Sequence, residues 1–201
     1  MKKNTMTLRI LAAAAVVLAL AGCNTISKET ESSSIIIIQS ITGTDIAGET
    51  VAFLQSDVRD SDGLVRVSTA TANIIVRLVN PGSVDGPTQF NDVVLTNYRV
   101  TYELPTGPGS PGVDVPLPFD GNFSTVLCQV DETTSVPFVV VLESAKLAAP
   151  LVGLIGTNTV IETRAKIEIF GHDLTDHEVT ATGYLTIYFA DYQVVAPPVK
   201  K

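Results

Sequence analysis

The sequence predicts an all-β fold, a single antiparallel β-sandwich of about seven or eight strands. Apolar residues recur at period two in segment after segment, turn residues separate those segments, and helical periodicity is nearly absent. Strands that alternate between an apolar and a polar face build sheets with one buried and one wet side, as antiparallel sheets commonly do.

The elements follow in order. Ile35 to Ile41 is dense in β-branched residues, as a buried first strand would be. Thr50 to Gln55 is a weaker candidate. From Thr71, residues Ala72, Ile74, Val76 and Leu78 alternate with Asn73, Ile75, Arg77 and Val79, and Asn80-Pro81-Gly82 ends the run. In Asp92 to Leu104, one face carries Val94, Thr96, Tyr98, Val100 and Tyr102, against Asn97, Arg99, Thr101 and Glu103. Phe123 to Val130 and Ser135 to Glu143 are further strands. Ser144 to Ile155 has room for a short helical turn, limited by Pro150 and Gly153.

The last pair is the clearest. Ile161, Thr163, Ala165, Ile167 and Ile169 oppose Glu162, Arg164, Lys166 and Glu168. Val179, Ala181, Gly183, Leu185, Ile187 and Phe189 then face inward against Thr180, Thr182, Tyr184, Thr186 and Tyr188. Gly171 to Asp176 reads as the hairpin loop between them. This architecture is similar in a general way to immunoglobulin-like or fibronectin-like sandwiches, although the tryptophan core and paired cysteines of antibody domains are missing.

The N-terminus is of another kind. Lys2, Lys3 and Arg9 form a positive leader, and Ile10 to Leu20 is an apolar run of about eleven residues. That is too short to cross a bilayer, which takes about 20 residues, and right for a secretory signal. Leu20-Ala21-Gly22-Cys23 follows, and the whole of residues 1–23 resembles the lipobox signal of bacterial lipoproteins. The resemblance implies cleavage between Gly22 and Cys23, and a diacylglyceryl thioether on Cys23, with the new amino group commonly acylated as well, by palmitate or a similar chain. Two or three chains hold firmly, because each buried methylene contributes about 0.8 kcal/mol. It also implies a cell-envelope location. With Asn24 rather than Asp after the cysteine, the outer membrane is favoured if the source is Gram-negative.

The expected organisation is therefore a removed signal (1–22), a lipidated cysteine with a flexible tether (23–34), a sandwich domain (35–192) and a loose C-terminal tail (193–201). Asn24 to Ser34 is polar and rich in Ser and Thr, and eleven such residues span about 18 Å on average. Removal of 22 of the 201 residues leaves 179, enough for one domain with a real core. The chain has 13 basic and 21 acidic residues. Three of the basic ones lie in the leader, so what remains is formally −11. That argues against nucleic acid or anionic headgroups as partners and leaves membrane lipid through Cys23 and an envelope or surface protein. Only Cys23 and Cys128 exist, so a lipidated Cys23 excludes an internal disulfide. Cys128 aligns with Val126 and Val130 and reads as a buried strand thiol.

Four groups of residues are candidate sites. His172, Asp173, Asp176 and His177 put both histidines and two carboxylates within six residues, all possible metal ligands, at a place where a hairpin turn also wants Asp. Asp57 to Gly63 has the acid density of a calcium loop without EF-hand spacing, and reads as a solvated turn. Pro105 to Phe119, with Pro105, Pro108, Pro111 and Asp114, is a long loop with little room for regular hydrogen bonding and a candidate partner-binding loop. Tyr98, Tyr102, Tyr184, Tyr188 and Tyr192 could form an aromatic face, or simply pack across strands. No nucleophile elbow, HExxH, phosphate loop or Cys–His pair is present, so a non-catalytic role with no cofactor is expected. Asn122-Phe123-Ser124 matches a glycosylation triplet by pattern alone.

Overall fold

The computed structural model describes residues 31–82 and 86–193, which form two sheets. The strands are β1 (Ser34–Thr44), β2 (Thr50–Val51), β3 (Phe53–Asp57), β4 (Ser68–Leu78), β5 (Val93–Glu103), β6 (Phe119–Cys128), β7 (Thr133–Val141), β8 (Ile161–Asp173) and β9 (Glu178–Ala190). One sheet has the order β2-β1-β4-β7 and the other β3-β9-β8-β5-β6. All pairs are antiparallel except β3 with β9, which run parallel. The described residues thus form an all-β fold of nine strands, two of them short, and not wholly antiparallel. A parallel pair joins segments far apart in the chain, so no local pattern announces it.

The two sheets share one apolar core. Gly183 of β9 lies under β1 so closely that a Cβ there would sit 2.7 Å from Ile41 Cδ1. Tyr98 of β5 stacks edge-on against Phe138 of β7, with ring centroids 5.2 Å apart, and Phe123 lies 4.9 Å away. The hydroxyl of Tyr102 donates to the Val140 carbonyl across the sheets at 2.6 Å. Burial pushes the phenol pKa of both tyrosines up. They are core residues, so the five tyrosines do not make one face; Tyr184 is on the outside, 51% exposed, under the Arg164 guanidinium.

Strands β8 and β9 show the alternation read from their sequence. Two other strands depart from it. β1 is not buried on both sides: Ile36 and Ile41 face the core, while Ile35 and Ile37 are 44% and 40% exposed. A bulge between Ile38 and Ser40 shifts its register against β4. In β5 the inward residues are Val93 and Leu95, then Tyr98, Val100 and Tyr102. An extra residue, Thr96, lies between the pairs Leu95–Gly171 and Asn97–Phe170. This bulge switches the buried parity, so Val94 and Thr96 do not share the face of Tyr98.

Ser34, expected at the end of the tether, is the first residue of β1 and buried. The region after β7 holds a short helix α1 (Glu143–Lys146) and a 3-10 turn (Leu151–Leu154). Cys128 is buried and unpaired, and its thiol pKa is raised by burial.

The register also defines two ends. Ser34 Oγ donates to the Asn91 carbonyl, Leu174 N to the Asp92 carbonyl and Val130 N to the Asp92 carboxylate. The start of β1, the β8–β9 hairpin and the β6–β7 turn therefore share one end. β5 runs from that end, with Val93 opposite Asp173, to Glu103 opposite Arg164. The Pro- and Gly-rich loop and the close of β9 lie at the other.

Candidate functional site

Both acid-rich motifs turn out to be the same turn. In the hairpin, Asp173 N donates to the His177 carbonyl and Asp176 N to the Asp173 carbonyl, both at 3.0 Å. The Asp173 carboxylate, 1% exposed, accepts from Thr175 N at 2.9 Å, Thr175 Oγ1 at 2.6 Å and His177 N at 3.1 Å. Asp60 repeats the scheme: its N bonds Leu64 O, its carbonyl takes Gly63 N, and its Oδ1 takes Asp62 N and Leu64 N. Asp45 does so again with Glu49, Gly48 and Ala47. Each is a three-residue hairpin-type turn whose third residue is left-handed, at φ 83° for Gly48, 78° for Gly63 and 65° for Asp176.

That scheme gives the aspartates of the first two candidate clusters a structural use in their turns. His172 Nδ1 is 3.0 Å from the Asp173 carbonyl and 3.6 Å from Asp176 Oδ1, while His177 Nδ1 is 2.8 Å from Thr175 Oγ1 and 3.5 Å from Asp173 Oδ2. The four side chains are spread around the turn, and among the described residues no three His, Cys, Asp or Glu come together to hold a metal ion. In the Asp57–Gly63 segment, Asp60 is further occupied by Arg66 Nε at 2.6 Å, which holds its carboxyl below the usual range.

The Pro- and Gly-rich loop is more ordered than its composition suggests. Gly107 N closes a turn on Leu104 O with Pro105 at its second position, and the Ser110 carbonyl accepts from Val113 N and Asp114 N. The Asp114 carboxylate accepts from Ser110 N, and Gly112 N donates to Val115 O at 2.7 Å. Val115 is fully buried and plugs the loop onto the core; a Cβ at Gly109 would come 2.8 Å from it. Pro105, Pro108, Pro111 and Asp114 are exposed, and between them stand Val113 at 68% and Leu117 at 59% exposure. The loop has no regular strand or helix, as expected, and backbone turns and one carboxylate hold it instead.

Sequence reasoning missed Lys146. It is buried, 3% exposed, and its Nζ donates to the Asp57 carbonyl at 2.6 Å and to Ser68 Oγ at 2.9 Å. Ser68 Oγ is in turn 2.9 Å from Ser56 Oγ. Burial draws the lysine pKa down to about 8. Lys146 ties α1 to β3 and β4, a role that no local pattern could reveal. Gly22 and Cys23 lie outside the described residues. No protein family, curated protein or solved structure matches the chain.

Proposed function

We propose that this chain is a lipoprotein of the bacterial cell envelope, anchored through Cys23, whose non-catalytic domain binds another envelope or surface protein. The signal-like leader and Leu20-Ala21-Gly22-Cys23 support the anchor. The strand order supports an immunoglobulin-like sandwich: β1, β4 and β7 form one sheet and β5, β8 and β9 the other, with β3 and β6 as added edges.

The observation that carries the binding role is placement. The chain enters the domain at Ser34, and the loop with exposed Pro105, Pro108, Pro111, Val113 and Leu117 lies at the opposite end. A tether upstream of Ser34 presents that end outward. The loop's prolines and internal bonds mean that little further ordering entropy is lost on contact.

The test is capture of envelope proteins by the full chain, compared with Val113→Asp/Leu117→Asp and with deletion of Thr106 to Val113. Loss of a specific partner with an unchanged melting temperature is expected; capture that survives both changes would remove the loop. Palmitate labelling that disappears in Cys23→Ala is expected for the anchor, and labelling that persists there overturns it.

A further inference from the structure

The bulge in β5 opens a cleft that none of the motifs above accounts for. Where Thr96 is inserted, the outer surface of β5, β8 and β9 holds a cavity of about 300 Å³, lined by Thr96, Asn97, Phe170, His172, Glu178 and Thr180 among others. Cavities of this size sit at the small end of ligand sites, and bulges recur beside such sites because they re-aim side chains.

Its polar groups are only partly used by the fold. Asn97 Oδ1 accepts from Thr96 Oγ1 at 2.8 Å, which leaves the amide NH2 as a donor. His172 uses Nδ1 toward the Asp173 carbonyl, which leaves Nε2. The side chain of Glu178, opposite His172 in the register, has no hydrogen bond or ion pair with any described residue. Phe170 is half-buried and pairs with no other ring among the described residues.

We propose that this cleft binds an uncharged saccharide. An amide, an imidazole and a carboxylate are planar groups that can each engage neighbouring hydroxyls of one sugar ring. The Phe170 ring offers an apolar platform for the C–H face of the sugar. No Lys or Arg among the described residues lines the cleft and the chain is net acidic, so an anionic ligand such as a phosphate finds no counter-charge among them. The site stands on its own residues and does not depend on the lipid anchor or on the distal loop.

The experiment is saturation-transfer NMR on the full chain, with glucose, galactose, mannose, N-acetylglucosamine and their disaccharides each at millimolar concentration. At least one sugar is expected to receive saturation. Asn97→Ala and Glu178→Ala, both on a solvated face, are each expected to weaken it about tenfold, the scale of one lost hydrogen bond to such a group. Glu162→Ala, exposed at the opposite end of β8, leaves binding unchanged. Absence of saturation for every sugar, or a signal that survives both cleft substitutions, overturns the proposal.

Discussion

Two of the three buried acidic or basic side chains among the described residues, Asp173 and Lys146, hold opposite ends of this domain, and they do so in opposite ways. Asp173 folds a turn on itself: it accepts from Thr175 N, Thr175 Oγ1 and His177 N, all within four residues. Lys146 reaches across the chain to Asp57 and Ser68, which lie 89 and 78 residues away. The carboxylate is satisfied by donors that the turn would otherwise leave unpaired. The ammonium has two acceptors, and burial still draws its pKa to about 8. A buried charge is stabilising when the local backbone presents enough partners, and a cost when distant elements must supply them.

The largest effect should come from breaking the local arrangement. Asp173→Ala leaves two backbone amides and a hydroxyl without their acceptor, and is expected to cost about 3 kcal/mol in chemical denaturation. Asp173→Asn keeps an acceptor and should recover about half of that. A loss for Asp173→Ala no larger than that of a surface substitution would refute the contrast.

Next in size is the pH dependence of Lys146. Its folded pKa, about 8, is below the unfolded value of 10.5, so between these pH values the native state binds fewer protons than the unfolded chain. Stability must therefore rise with pH through this window, and the penalty of a buried ammonium is fully present below pH 8. From pH 8 to about 9.5 the gain of the natural chain over Lys146→Met should be about 1–2 kcal/mol. Parallel stability curves for the two proteins would show that the lysine is not desolvated.

The smallest effect sharpens the comparison among the turns themselves. Gly48 and Gly63 take the left-handed position without a Cβ, whereas Asp176 takes it with one. Asp176→Gly should stabilise by about 0.5–1 kcal/mol. Its contact with His172 at 3.6 Å offers little against that, because Asp176 is almost fully exposed. A destabilised Asp176→Gly would mean that the aspartate side chain does more than occupy the turn.

The same contrast explains what was legible in the residues. The all-β class, the faces of β8 and β9, the buried Cys128 and the turn value of Asp173 all depend on near neighbours, and period two or turn chemistry displays them. The bulge at Thr96 was not legible, because one inserted residue reverses the facing of everything before it while each half still alternates. Four consecutive isoleucines read as a buried strand; no described residue covers the outer surface of β1 enough to bury Ile35 and Ile37. The parallel β3–β9 pair, Lys146 and the cleft around Asn97 and Glu178 come from residues that only the tertiary fold brings together. The metal-like clusters were ambiguous for a related reason: aspartate serves turns and metals equally well in sequence.

The seat of β9 between β3 and β8 also sets the order of events in folding. Phe53 has no neighbour in its sheet until Thr186 arrives, and Asp57 waits for Ala190. Such long-range closure is slow, since the entropy of the intervening chain is lost before the contact is gained. A polypeptide delivered from its N-terminus keeps both β3 and β8 with bare edges until its last strand is free, and an unpaired edge is an invitation to aggregate. Any truncation that removes β9 exposes two strands at once, so the five-stranded sheet closes with its final strand or does not close at all.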